Sequence, residues 1–203
     1  MNGKKISFSL YFLEKICPLS NEFKSFYQQH VKHALYKKGT LLNECGSLCD
    51  KLYFIKKGMI RGYHNIENNE ITTWLSTDNE LVTSITGFFK HIPASENMQA
   101  VEDTYVEYLA YNDFQVALSK FPEMVQIFNI LLIEYYIHAE NRTLLSRIPS
   151  AKGRFDHFVS NGNTFLLNRA PHKFLANMLS MRPETFSRIL KAHQVDFANE
   201  MES

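Results

Sequence analysis

Between Pro149 and Val195 the chain carries seven Lys or Arg side chains, Lys152, Arg154, Arg169, Lys173, Arg182, Arg188 and Lys191, against two acids, Asp156 and Glu184. Residues 1–148 balance fifteen basic side chains against sixteen acidic ones, so a chain of net charge +1 gathers its positive charge in one short segment. Ammonium and guanidinium groups clustered in this way suit a polyanion. Catalytic chemistry finds no footing: there is no nucleophile beside a base, no metal-ligand cluster and no glycine loop to cradle phosphate, so an enzyme is not expected. Cys17, Cys45 and Cys49 cannot build a disulfide framework, and Cys45-x3-Cys49 lacks the second pair a zinc site needs. They read as reduced packing thiols, which suits the cytoplasm.

The stretch Lys173–Lys191 shows how the basic segment is organised. Leu175, Leu179, Phe186, Ile189 and Leu190 fall where two short helices crossing steeply would share a small core, with Ala176 at the crossing. Ser180-Met181 occupies the turn, and Pro183 stands where a second helix would begin, its missing N–H costing nothing there. That is a helix-turn-helix pattern.

The rest of the chain must position this module. Apolar residues at helical spacing from Phe8 to about Tyr36, interrupted at Pro18-Leu19-Ser20, predict two short helices. Lys4-Lys5 ahead of an apolar run faintly resembles a signal peptide. Ser7 and Ser9 interrupt that run, Glu14-Lys15 ends it and no small-residue cleavage site follows, so an amphipathic first helix is expected instead. From Ala34 to Leu109, short aromatic and β-branched runs alternate with turn residues such as Lys38-Gly39, Lys57-Gly58 and Glu67-Asn68-Asn69, the rhythm of an antiparallel roll. Strands are clearest at Leu52–Ile55, Ile71–Leu75 and Tyr105–Leu109. Asn112 and Asp113 are expected to cap a short helix through Ser119. Pro122 opens a helix of about 25 residues that runs without Gly or Pro to Pro149. Its apolar positions form two stripes, one through Met124, Phe128, Leu131, Tyr135, His138, Arg142 and Leu145, the other from Ile127 through Ile137 and Leu144 to Ile148. Two stripes can face the helix's own domain and a partner helix, which predicts a homodimer. No segment is long enough to span a membrane.

The string Pro183-Glu184-Thr185-Phe186-Ser187-Arg188-Ile189-Leu190 resembles the recognition helix of the Crp/Fnr family of bacterial transcription regulators. Tyr53 to Tyr63, with Gly58 between two strands, resembles that family's strand–turn–strand. With the long helix between them, the resemblance covers nearly the whole chain in order. It implies an α+β fold: an N-terminal antiparallel β-roll of double-stranded β-helix or jelly-roll type over 1–120, a dimerisation helix over 121–148 and a helix-turn-helix domain over 149–203. It implies base contacts by Glu184, which can accept from cytosine N4, and by Arg188, whose fork can take guanine O6 and N7 together. Arg182, Thr185, Ser187, Lys191 and Lys173 are implied phosphate contacts. Two departures stand out: Pro183 replaces a residue that is basic in many relatives, and Ser180 replaces the usual turn glycine. The tail after Lys191 is short.

Family members that bind cyclic nucleotides use a Gly-Glu pair and an Arg-Ser/Thr pair. Here Thr83-Ser84 and Ala94-Ser95 fall at those places, and no Arg or Lys lies between Lys90 and Lys120. A buried phosphate without a cation is strongly disfavoured, so cAMP in the usual pose is not expected, and Phe88, Phe89 and Trp74 are candidates to fill the roll. Three cysteines also cannot hold the family's iron–sulfur cluster. No cofactor is expected, haem through one of the eight histidines staying open. The expected partners are double-stranded DNA, a second copy of the chain, RNA polymerase and an unidentified small effector. The competing reading is a ligand- or protein-binding module of the same fold whose DNA-binding end has decayed.

Overall fold

The computed structural model describes residues 7–201, and the side chains of 7–195; the expectation for Lys4 and Lys5 lies outside them. The chain divides into two compact units, one of residues up to 65 with 74–135, the other of residues 66–73 with 136–203. The segment 121–148, read from the sequence as a helix between two domains, corresponds to one helix, Pro122–Arg147, whose residues fall in both units.

The first unit opens on two helices, α1 (Phe8–Ile16) and α2 (Asn21–His30). Each starts on a serine whose hydroxyl accepts a first-turn amide: Ser7 from Leu10 N–H, Ser20 from Phe23 N–H. Helical spacing reads on to Tyr36, but α2 ends at His30. Lys32–Tyr36 is strand β1, held by antiparallel pairing along β8 (Thr104–Ala110). Tertiary pairing overrides the local pattern there.

Among the described residues eight strands form two four-stranded sheets. One runs β1-β8-β3-β6, with β3 Lys51–Lys57 and β6 Leu81–Val82. The other runs β2-β7-β4-β5, with β2 Leu41–Asn43, β7 Asn97–Ala100, β4 Ile60–Ile66 and β5 Asn69–Ser76. Alternation along β3 sorts its side chains to the two faces of the sheet. Tyr53 and Ile55 point into the roll, where the Tyr53 hydroxyl donates to Leu42 O of the other sheet at 3.3 Å. Burial pushes that phenol well above its ordinary range, so it stays a donor. Leu52 and Phe54 point the other way, with Phe54 meeting the Phe8 and Phe12 rings of α1. On the same outer face the buried Glu107 carboxylate accepts the Phe8 amide at 2.9 Å, the Ser9 amide at 2.7 Å and the Ser9 hydroxyl, seating the start of α1 on the sheet.

Gly58, between β3 and β4, has φ +132°, and a β-carbon there would lie 2.6 Å from the Thr104 backbone. A side chain cannot be accommodated, which is why the strand–turn–strand segment needs glycine.

After β6 comes α3 (Ile85–Phe89) and after β8 comes α4 (Tyr111–Lys120). The N-cap of α4 is Ala110, without a side-chain bond, so the capping expected of Asn112 and Asp113 does not occur. Both lie inside the helix, because β8 runs directly into it. Helix α5 (Pro122–Arg147) follows with 26 residues. Then come α6 (Ala151–Phe158), capped by Ser150, a widened turn (Val159–Asn163) opened by Gly162 at φ +80°, α7 (Thr164–Arg169), α8 (His172–Met178) and α9 (Pro183–Met201). Among the described residues no single helix is long and apolar enough to cross a membrane.

Candidate nucleic-acid interface

Helices α8 and α9 are joined by a turn whose geometry is set by backbone hydrogen bonds. Ser180 N–H donates to Asn177 O at 2.9 Å and Met181 N–H to Ala176 O at 3.0 Å. This paired closure is a Schellman motif, which requires a left-handed residue at the position Ser180 occupies. Ser180 adopts φ +50° accordingly, so the turn is kept without glycine, at the strain expected of a residue bearing a β-carbon. Ser180→Gly is expected to stabilise the protein by about 1 kcal/mol, read as a higher midpoint in urea unfolding. A lower midpoint would show that the serine side chain contributes more than its backbone strain removes.

The expected small core is present. Leu175, Ala176, Leu179 and Phe186 are fully buried and Leu190 nearly so, whereas Ile189 is only half-buried. The Phe186 ring meets Phe155 at 5.9 Å and His172 at 5.4 Å. Phe186 and Leu190 turn one face of α9 inward. Glu184, Ser187, Arg188 and Lys191, at i, i+3, i+4 and i+7, share another face and are all exposed. Thr185 is half-buried, and Arg182 and Pro183 are exposed at the helix start. Lys173 stands apart on α8, its ammonium 4.9 Å from the Phe174 ring centre. The structure therefore brings Glu184, Ser187, Arg188 and Lys191 together, with Arg182 at one end. The short tail is no separate element, since α9 continues to Met201.

Of the seven basic side chains gathered in this segment, Arg154 is not available to a polyanion. Its guanidinium donates to Leu179 O at 2.6 Å, Ser180 O at 3.0 Å, Ile148 O at 2.7 Å and Pro149 O at 3.1 Å. Sequence reasoning counted its charge and missed its use. The only local signal is its place one turn after the Ser150 cap. Asn177 was likewise not foreseen; its Oδ1 accepts from the Thr72 amide of β5, at 3.4 Å, within the same unit.

Of the four residues expected to line an effector pocket, Ser84 and Ala94 both lie beside Gly87. A β-carbon at Gly87 would lie 3.0 Å from Ala94 Cβ and 3.1 Å from Ser84 Oγ. Thr83 is buried and its hydroxyl donates to Lys51 O at 2.9 Å. Ser84 is buried with no hydrogen-bond partner for its hydroxyl among the described residues. Ala94 is tied by its backbone to Ser47 and Gly46, and Ser95 is exposed. Trp74, half-buried, packs against the roll core over Gly62, where a β-carbon would come within 2.0 Å of its ring, and its indole N–H donates to Glu96 at 2.9 Å. Phe88 and Phe89 pack instead against Tyr111, Phe114 and Phe128. Arg61 is a buried cation absent from the sequence reading. It pairs in register with Gln99 and bonds its side chain at 2.6 and 2.9 Å, alternating with Ile60 and Gly62. Because Gly62 faces Trp74 and Met98, Arg61 lies on the opposite face of the sheet, away from the roll interior.

On α5, Met124, Ile127 and Leu145 are buried, and Phe128 and Leu131 are half-buried. Met124 and Leu145 are thus unavailable to a second chain. Tyr135 and His138 are exposed. So are Val125, Leu132, Ile133, Tyr136, Ile137 and Leu144, which occupy a neighbouring arc of the helix.

No protein-family model and no curated protein matches the sequence. Solved structures do match. FixK2 from Bradyrhizobium japonicum superposes with TM-score 0.71 at 16% identity, over 82% of this chain and 85% of that one. A transcriptional regulator of the Crp/Fnr family from Eubacterium rectale gives 0.69 at 19%, over 90% and 89%. A CooA variant from Carboxydothermus hydrogenoformans gives 0.67 at 16%, over 94% and 87%. Roll, long helix and helix-turn-helix thus follow one another as they do in these proteins, and the chain has the fold of the Crp/Fnr family of transcription regulators.

Proposed function

We propose that this protein is a homodimeric, sequence-specific DNA-binding regulator of transcription, working in the cytoplasm, and not an enzyme. The observation that carries the reading is the division of α9: Phe186 and Leu190 anchor it, while Glu184, Ser187, Arg188 and Lys191 stand exposed on one face. Such a helix can enter a major groove with Arg188 and Glu184 at base edges and Arg182, Thr185, Ser187 and Lys191 at phosphates. Lys173 is the outlying phosphate contact. The exposed apolar arc of α5 supports the dimer, in which two recognition helices meet successive grooves roughly 34 Å apart. Ser180 holding the left-handed turn removes the main reason to read the DNA-binding end as decayed.

A cyclic nucleotide in the usual pose is not part of this reading. The positions expected for the ribose and cyclic phosphate carry Thr83-Ser84 and Ala94-Ser95, with no Arg or Lys between Lys90 and Lys120. An effector of another kind, and contact with RNA polymerase, belong to the same reading.

Gel shifts on the DNA upstream of the protein's own gene, followed by selection from a randomised duplex library, test it. Arg188→Ala is expected to weaken binding by roughly 1–3 kcal/mol, chiefly at one base position. An equal loss on every duplex would overturn base readout by Arg188, and no binding at low salt by an intact dimer would overturn the DNA-binding reading.

A further inference from the structure

The Arg154 guanidinium makes four hydrogen bonds, and every acceptor is a neutral backbone carbonyl. Two of them, Ile148 O and Pro149 O, belong to the chain leaving the end of α5. The other two, Leu179 O and Ser180 O, belong to the turn between α8 and α9. A turn in left-handed geometry and a helix end both leave carbonyls without intrahelical partners. A guanidinium, with five N–H donors in a rigid planar fork, can satisfy two such sets at once. An ammonium cannot, since its donors radiate from a single atom.

We propose that Arg154 is a positioning residue that fixes the recognition helix against the end of the long helix. Nε and Nη2 hold the turn from which α9 departs, and Nη1 holds the strand of chain that follows α5. Rotation of the α5 end must therefore carry the turn, and with it the exposed face of α9. In a dimer built on α5 this sets the separation of the two recognition helices, and hence the half-site spacing the protein accepts. The inference rests on the DNA-binding dimer proposed above, and touches no base or phosphate itself.

The test compares the full-length wild type with R154M and R154K in selection from a randomised duplex library, with far-UV circular dichroism and thermal melting as controls on folding. Wild type should enrich paired half-sites at one spacing. R154M and R154K should enrich the same half-site letters at several spacings and bind the wild-type duplex roughly tenfold more weakly or worse, the loss expected for charge-assisted bonds. R154K retains the charge, so its failure to restore a single spacing separates fork geometry from electrostatics. One spacing and affinity within about twofold of wild type, in either folded variant, would overturn the proposal. Amide hydrogen exchange at Ser180–Arg182 supplies a readout independent of DNA. It should quicken in both variants relative to amides elsewhere in α9, and unchanged exchange also overturns the clamp. A wild type that enriches no paired sites counts against the DNA-binding dimer alone, with the exchange measurement still deciding the clamp.

Discussion

Replacing Leu132 and Tyr136 together by glutamate is expected to convert the proposed dimer to monomer and to weaken DNA binding by about a hundredfold or more. Both residues lie on the exposed arc of α5, Tyr136 with 63% of its surface open and Leu132 with 45%. Val125, Ile133, Ile137 and Leu144 extend the same arc. A soluble chain seldom leaves so many large apolar groups together on one helix unless a partner covers them. Each such side chain buried at an interface contributes roughly 1.5–3 kcal/mol. A glutamate on each copy loses that contribution and brings like charges together near the two-fold axis. The two changes together remove roughly 3–6 kcal/mol per copy, against a conversion of about 1.4 kcal/mol for each tenfold in affinity. Because the positions are exposed in the single chain, its own fold should be little affected, with thermal melting of the monomer shifted only slightly. Sedimentation velocity and gel shifts on the selected duplex read the outcome. A variant that sediments as a dimer would place the contact elsewhere than this arc.

The division of labour on α5 shows what the sequence could and could not disclose. Two apolar stripes were legible, and two stripes imply two burials. Which stripe faces inward depends on where the sheet and α1 lie, and no periodicity encodes that. Met124 and Leu145 are buried in the single chain, while Leu132, Ile133 and Tyr136, off both stripes as drawn, are exposed. The helix-turn-helix was legible to single residues because its constraints are local: a small residue at the crossing, a left-handed turn, a proline at the first helical position and apolar anchors at fixed offsets. Arg154 illustrates the converse. Its four acceptors are backbone atoms 25 or 26 residues away on one side and five or six on the other, and backbone carbonyls carry no residue signature. Trp74 above Gly62 is a third case, since the missing β-carbon of one strand becomes meaningful only once its neighbour's indole is known to lie over it. That no Arg or Lys lies between Lys90 and Lys120 was legible. The burial of Arg61 on the opposite face was not, because register decides the face.

Phe186→Ala is expected to cost about 3–5 kcal/mol and to abolish sequence-specific DNA binding without touching a single exposed residue of α9. Phe186 is wholly buried, and its ring contacts Phe155 and His172 on two other helices of the second unit. That unit's core is assembled from few large side chains, chiefly Phe155, Phe158, Phe174, Leu175, Leu179, Phe186 and Leu190. The loss of one is comparable to the whole stability of a small domain. The first unit has a separate core around Phe23, Tyr53, Phe88, Met98 and Phe114. The variant should therefore melt in two steps, the second unit first, while the roll retains its midpoint. Arg188→Ala provides the contrast: it should melt as wild type and lose only part of its affinity, concentrated at one base pair. The pair of variants separates what α9 is from where it is held. Exposed Glu184 and Arg188 can read a groove only while Phe186 keeps the opposite face of the helix seated. A Phe186→Ala protein that melts in one step at the wild-type temperature and still selects the same duplex would show that this seating is not what presents them.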